Sequence, residues 1–179
     1  MDLTEVRKEI NAIDAELRQL LGRRLECSGQ VARVKLETGD KVYKPLREKE
    51  IREEFLAEGD RYGLSEVKNI VMNSRKYQYG IFLDEGKQSE AFNIFFDDEK
   101  KSICEQGGSI RISVRVDETG ERGLCAGDVL LAVADSEVDI ISMEQKKDIL
   151  SMEIYVENTD MAKRDAYILF YMLSEETIS

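Results

Sequence analysis

The sequence contains no histidine, which removes a large share of familiar enzyme chemistry. Serine–histidine–aspartate and cysteine–histidine triads are excluded, and so is any metal site that needs an imidazole ligand. Cysteine is scarce as well, because Cys27, Cys104 and Cys125 are odd in number and lack a CxxC spacing. This usage is typical of a reduced, cytoplasmic protein and does not support a disulfide framework.

Long apolar runs are also missing. No stretch approaches the roughly 20 apolar residues that a membrane span requires, and the opening MDLTEVRKE is charged from the start, unlike a secretory signal. We therefore expect neither membrane association nor export. With 179 residues, of which 42% are hydrophobic, the chain is long enough for one large or two small domains with a core.

The net charge of −11 is unevenly distributed along the chain. Residues 1–78 carry 16 basic and 15 acidic side chains, whereas residues 79–179 carry 10 basic and 22 acidic ones. The overall acidity argues against nucleic-acid binding, which requires a cationic surface for phosphates. The asymmetry predicts two units with different roles, the first near-neutral and the second acidic.

The first unit is predicted to begin with one long helix. A helix from Leu3 to Leu36 would be roughly 50 Å long, too long for two shorter helices of the same chain to cover its apolar seam. We therefore expect a dimer through this helix. The seam repeats at alternating steps of three and four, at Leu3, Val6, Ile10, Ile13, Leu17 and Leu20.

Basic side chains are placed at informative distances on these helices. Arg24 and Lys35 are 11 residues apart, which puts them within about 20° of one helix face and about 16 Å apart along the axis, so that a small anion could lie between them. Arg7 lies about 25 Å from Arg24 and could reach such a site only from an antiparallel partner chain. Two shorter helices, 46–61 after Pro45 and 66–83, are predicted to follow.

Within this scaffold a set of residues stands in a fixed order and spacing. It comprises Leu3, Arg7, Ile10, Asp14, Leu17, Leu20, Leu21, Arg24, Val31 and Lys35, then VYKPLREKE at residues 42–50 and SRKYQ at residues 74–78. The ordered set resembles the all-helical class of chorismate mutase, which folds as an intertwined dimer of three-helix chains. The resemblance runs without gaps from Leu3 to about Gly59 and resumes at the third helix.

The resemblance implies a substrate-binding role for four positions. Arg24, together with Arg7 of the partner chain, would hold the two carboxylates of chorismate. Arg47 and Ser74 match residues that orient these groups or contact a carboxylate. Charge-assisted bonds between arginine and carboxylate are strong enough to fix the conformation of a small dianion.

The resemblance also implies three catalytic positions. Lys35 and Gln78 would donate to the ether oxygen of the breaking bond, and Glu48 would lie near the ring hydroxyl and the bond-forming region. The reaction, chorismate to prephenate in phenylalanine and tyrosine biosynthesis from the shikimate pathway, is unimolecular and needs no metal or cofactor. Orientation and electrostatic stabilisation suffice for it, so the lack of histidine is no obstacle.

Two departures from the family pattern leave alternatives open. Lys44 occupies a position where the family usually has an acidic residue beside the ring hydroxyl, and the link from Leu64 to Ser74 is shorter than in the family. One alternative is an isochorismate-pyruvate lyase of the same fold. The other is a catalytically inactive dimer in which the first unit only dimerises and the second binds a ligand.

The second unit is predicted to be a mixed α+β structure. Residues 109–116 alternate apolar and polar side chains, which indicates a half-buried strand. A helix at 123–134, strands at 138–143 and 149–156, and a helix at 160–173 follow, which gives the order βαββα in a sandwich.

This order resembles an ACT domain, a small regulatory module often attached to enzymes of amino-acid biosynthesis. Residues Gly123, Leu124, Cys125 and Ala126 lie where such domains carry a ligand-binding glycine turn, which implies allosteric regulation by an aromatic amino acid. The alternative is a dimerisation or stability module without a ligand. The final strand is missing unless residues 91–96 supply one, so we divide the chain into 1–83, a linker or extra element at 84–108, and 109–179.

Overall fold

The computed structural model describes residues 2–57, 63–117, 124–134 and 136–176. Their order is helical first and mixed afterwards, as the residue patterns predict. The elements are α1 (Leu3–Thr38), α2 (Pro45–Ala57), α3 (Gly63–Asp84), α4 (Glu90–Phe95), α5 (Asp98–Gln106), β1 (Gly108–Arg115), α6 (Ala126–Ala134), β2 (Val138–Lys146), β3 (Ile149–Val156) and α7 (Asp160–Glu176).

Helix α1 is one continuous helix of 36 residues and is therefore about 54 Å long. It ends where Gly39 adopts a left-handed conformation with φ of 72°, which a residue without a Cβ adopts readily. Pro45 then begins α2, where its missing N–H costs no hydrogen bond. Helix α3 packs along α1, and α2 packs against α3.

The amino-terminal part of α1 extends beyond these contacts. Its buried residues, Ser28, Gly29 and Ala32, all lie in the carboxyl-terminal part of the helix. The predicted seam is exposed by roughly half or more at Leu3, Ile10, Ile13, Leu17 and Leu20. A single chain therefore leaves most of the apolar stripe of α1 uncovered.

The second unit contains a three-stranded antiparallel sheet in the order β1-β3-β2. Alternate residues of β1 and β3 are buried, with Ile112 opposite Met152 in register, because one face of this sheet packs on helices. Strand β2 follows a different pattern, since Val138 is its one buried residue. Strand β2 is joined to β3 by a tight turn in which Lys147 has φ of 57°. Helices α5, α6 and α7 pack on the sheet, with α5 against β1, α6 against β2, and α7 against β2 and β3.

The segment between α3 and β1 contains two helices, α4 and α5, so residues 91–96 do not supply the strand that was considered for them. Helix α4 begins after Ser89, whose hydroxyl accepts a hydrogen bond from the backbone N–H of Phe92 at 3.1 Å. This cap and the aromatic packing of Phe92 against Phe96 and Tyr171 favour a helix. Both α4 and α5 pack against α7.

The two units meet where α3 packs against α7. An aromatic cluster fills this contact, with Tyr171 of α7 placed 5.2 Å from Tyr79 and 6.4 Å from Phe82 of α3, measured between ring centroids. Among the described residues, no helix combines the length and the apolar character that crossing a bilayer demands.

Candidate active site

A cavity of about 370 Å³ lies among α1, α2 and α3. Among the described residues, its walls carry five cationic side chains, from Arg24, Lys35, Lys44, Arg47 and Arg75, and one carboxylate, from Glu48. This excess of positive charge is concentrated in one place on a chain whose net charge is −11. Six of the seven predicted residues of the first unit line it: Arg24, Lys35, Arg47, Glu48, Ser74 and Gln78.

Arg24 is held in place by α3. Its guanidinium donates to the hydroxyl of Ser74 and to the backbone carbonyl of Ile70, the latter at 3.3 Å. Ser74 in turn donates to the same carbonyl at 2.9 Å. Burial lowers the pKa of Arg24, yet an arginine keeps its charge in proteins, so the site contains a fixed cation.

Lys35 and Gln78 form a second polar pair on the cavity wall. The ammonium group of Lys35 donates to the backbone carbonyl of Val42 at 2.7 Å and to Oε1 of Gln78 at 3.1 Å. Because the amide oxygen of Gln78 accepts from Lys35, its NH₂ group is the part that can donate to a ligand. Burial is the main influence on Lys35 and lowers its pKa, while Asp40 and Glu48 act in the opposite direction.

Glu48 contributes a carboxylate to the cavity wall, and it is paired with Arg75. Its Oε1 lies 3.2 Å from Nε of Arg75, and both side chains are largely buried. Burial raises the pKa of Glu48, and the positive charge of Arg75 counters this effect. On its other side, the guanidinium of Arg75 binds the carboxylate of Glu176 at the end of α7.

Sequence reasoning missed Arg75 and Glu176, although a signal for each was present. Each charged residue occupies a position in the apolar stripe of its helix, where a charge is rare unless it is paired. The stripe of α3 is Met72, Arg75, Tyr79 and Phe82, and that of α7 is Ala162, Ala166, Leu169, Leu173 and Glu176. A charge that interrupts such a stripe predicts a buried partner of opposite sign.

Lys44 and Arg47 belong to the exposed edge of the cavity. Lys44 pairs with Asp40, and Arg47 pairs with Glu50 at 3.0 Å. Exposed ion pairs of this kind are weak, so either cation can leave its partner for a ligand. Lys44, which differs from the family pattern, therefore adds a positive charge at the edge of the cavity and leaves its interior open.

Arg7 is exposed and stands apart from the other six predicted residues. It lies on the uncovered part of α1, about 25 Å from Arg24 along the helix axis. The single chain therefore does not bring Arg7 to the cavity.

The candidate regulatory residues have structural contacts of their own. Leu124 is fully buried in the core of the second unit. Asp128 accepts hydrogen bonds from the backbone N–H and the Sγ of Cys125, both at 3.2 Å, and so fixes the start of α6 at Ala126. Gly123 lies outside the described residues.

Comparison with known proteins finds one curated relative and a family model whose matched residues contain the cavity. The T-protein of Haemophilus influenzae is 38% identical over 63 residues, which are 35% of this chain and 17% of that protein. The chain thus spans less than a fifth of the length of this curated relative. No solved structure matches the chain with significance. Residues 6–79, which include every residue lining the cavity, match the family model described as chorismate mutase type II.

Proposed function

We propose that this protein is a chorismate mutase, which converts chorismate to prephenate in the shikimate pathway toward phenylalanine and tyrosine. One observation carries the proposal: six of the seven residues that the family resemblance singles out converge on one cationic cavity within the matched region. A cavity of this size and charge suits a small dianion.

The proposed mechanism uses binding and electrostatics alone. Arg24, supported by Ser74, and Arg47 at the cavity edge hold the carboxylates of the substrate in the compact conformer that brings the reacting carbons together. Lys35 and the NH₂ group of Gln78 donate to the ether oxygen, where negative charge develops as the bond breaks. Glu48 faces the ring hydroxyl and the bond-forming region.

The proposed active form is a homodimer built on α1. The exposed seam of α1 is an apolar surface that a second, antiparallel copy can cover. The same arrangement carries Arg7 of one chain toward the cavity of the other, where it would bind the second carboxylate. The exposed position of Arg7 and the uncovered seam are thus explained by one assembly.

The second unit is proposed to be an ACT-like regulatory module that binds an aromatic amino acid. Its support is the strand order β1-β3-β2 with helices on one face, which is the order of a split βαβ fold without its fourth strand. We retain residues 1–83 as the catalytic unit and 109–179 as the module. Helices α4 and α5 of residues 84–108 are assigned to the module because they pack on α7.

The decisive experiment follows the loss of chorismate absorbance and the formation of prephenate by the purified protein, with and without each aromatic amino acid. Prephenate formation supports the proposal, and a change of rate with an amino acid supports the regulatory module. Pyruvate released from isochorismate would instead identify the lyase. Binding of chorismate without turnover would identify the inactive sensing dimer. Either of these last two results, without prephenate formation, would overturn the proposal of a mutase.

A further inference from the structure

A buried chain of three charges connects the end of α7 to the cavity wall. Glu176 binds Arg75, and Arg75 binds Glu48 through Nε at 3.2 Å from Oε1. The exposed fractions of the three side chains are 0%, 6% and 13% respectively. The chain therefore crosses from the second unit, through α3, to a group that lines the candidate site.

The geometry gives each member of this chain a defined place. Arg75 is planar and presents its Nε to one carboxylate and its Nη1 to the other, a fork that a lysine cannot reproduce. Aromatic rings complete its surroundings, with Tyr43 placed 5.1 Å below the guanidinium carbon and the buried Tyr79 beside Glu176. With two carboxylates and a ring around it, the guanidinium is held in one orientation.

Stability alone does not account for such an arrangement. Removing three charged groups from water is costly, and apolar side chains of similar volume are often as stable or more stable in the same place. Burial raises the pKa of Glu176 to about 7, which reflects this cost. A buried network of this kind fixes the positions of its side chains, because each member restricts the rotamers of the next.

We propose that Arg75 and Glu176 are positioning residues for Glu48, so that the last turn of α7 completes the active site of the first unit. Glu176 fixes the guanidinium of Arg75, and Arg75 fixes one carboxylate oxygen of Glu48 against the cavity wall. The role in catalysis rests on the proposed function, whereas the linkage of the three charges does not. Residues outside 6–79 thereby determine the geometry of the site.

A double-mutant cycle tests whether Glu176 acts through Glu48. Glu176→Gln removes the charge and keeps the shape, and we expect it to lower kcat/KM for chorismate by roughly tenfold or more, mainly through kcat. In a Glu48→Gln background the same change should have less than about a twofold effect, since the group that it positions is gone. Equal losses in both backgrounds would contradict the proposal and assign Glu176 a general structural role.

A matched control and a measurement independent of activity complete the test. Glu157→Gln changes the same side chain at an exposed position of the second unit and should leave kcat/KM and the far-UV spectrum unchanged. By NMR, hydrogen exchange at Nε–H of Arg75, assigned with Arg75→Lys, should be at least about tenfold faster in Glu176→Gln, because a guanidinium no longer fixed by Glu176 opens to solvent more often from its ion pair with Glu48. An unchanged exchange rate would overturn the linkage, even in a protein that makes no prephenate.

Discussion

The two units of this chain cover their apolar residues in different ways. In the second unit, the alternating residues of β1 and β3 are buried, and helices of the same chain pack on these strands, α5 on β1 and α7 on β3. In the first unit, the seam of α1 stays exposed while a cationic cavity lies beside its other end. The sheet of the second unit is thus covered within the chain, whereas the first unit leaves an apolar seam that the proposed second copy would cover and contacts Glu176 at the end of α7.

The largest expected effect concerns the cation at the centre of the first unit. Arg24→Ala should reduce kcat/KM for chorismate by about 100- to 1,000-fold, because the lost guanidinium both orients the substrate and balances its charge. Steady-state kinetics of chorismate loss measures it. Arg33→Ala, an exposed arginine of the same helix, is the control and should retain wild-type kinetics. A rate unchanged by Arg24→Ala would refute the site assignment.

Subunit complementation tests the need for a second copy. Arg7→Ala and Arg24→Ala should each be nearly inactive alone, whereas an equal mixture that exchanges subunits should recover about a quarter of the wild-type rate. Half of the dimers are then mixed, and each mixed dimer has one intact site if Arg7 serves the opposite chain. If Arg7 acted within its own chain, every site would lack one arginine and no activity would return.

The next expected effect concerns the contribution of Glu176, at the end of α7, to the pH dependence of the free energy of unfolding. The pKa of Glu176 is raised by burial from 4.5 to about 7, so the folded chain binds more protons than the unfolded one between these values. Its contribution to stability is therefore present at pH 4.5 and is lost as pH rises toward 7, by roughly 3 kcal/mol at most.

Glu176→Gln should flatten this loss relative to the wild type, as measured by urea unfolding at several pH values. Stability above pH 7 would then increase in the variant whose activity we expect to fall. Parallel pH profiles in the two proteins would contradict the raised pKa.

The smallest expected effect belongs to a second ion pair between the same two helices. Arg164 of α7 binds Asp84 of α3 in a bidentate manner, at 2.6 and 2.9 Å, but both side chains are about half exposed. Arg164→Ala should lower the free energy of unfolding by no more than about 1 kcal/mol and leave kcat unchanged. A loss of several kcal/mol would mean that exposure is a poor guide to the strength of this pair.

The sequence predicted much of the fold because the spacing of apolar residues follows the repeat of the helix or strand that carries them. The steps of three and four identified α1, and strict alternation identified β1 to within a residue at each end. The structure differs from the prediction at two helix starts that depend on capping hydrogen bonds. Ser89 caps a helix where a strand was considered, and Asp128 caps α6 so that it begins at Ala126 and not at residue 123. Each of these hydrogen bonds depends on one side chain at one position. The spacing of apolar residues over a longer segment does not reveal such a cap.

The candidate site was predictable in part for a related reason. Arg24, Lys35 and Gln78 were found because their spacing on helices matches a known ordered set. Glu176 could not be found in this way, since it lies 101 residues from Arg75 and belongs to no motif of the first unit. Only the packing of α3 on α7 brings these two charges together.

The separation of Arg75 and Glu176 also has a consequence for biosynthesis. A ribosome adds about 5–20 residues per second, so Arg75 leaves the decoding site several seconds before its partner is made. During that interval the three amino-terminal helices can form, but Glu48 lacks the contact that fixes it through Arg75. The buried charge network at the candidate site thus forms only after α7 has been translated and packed, so a nascent chain carries its first unit without that network.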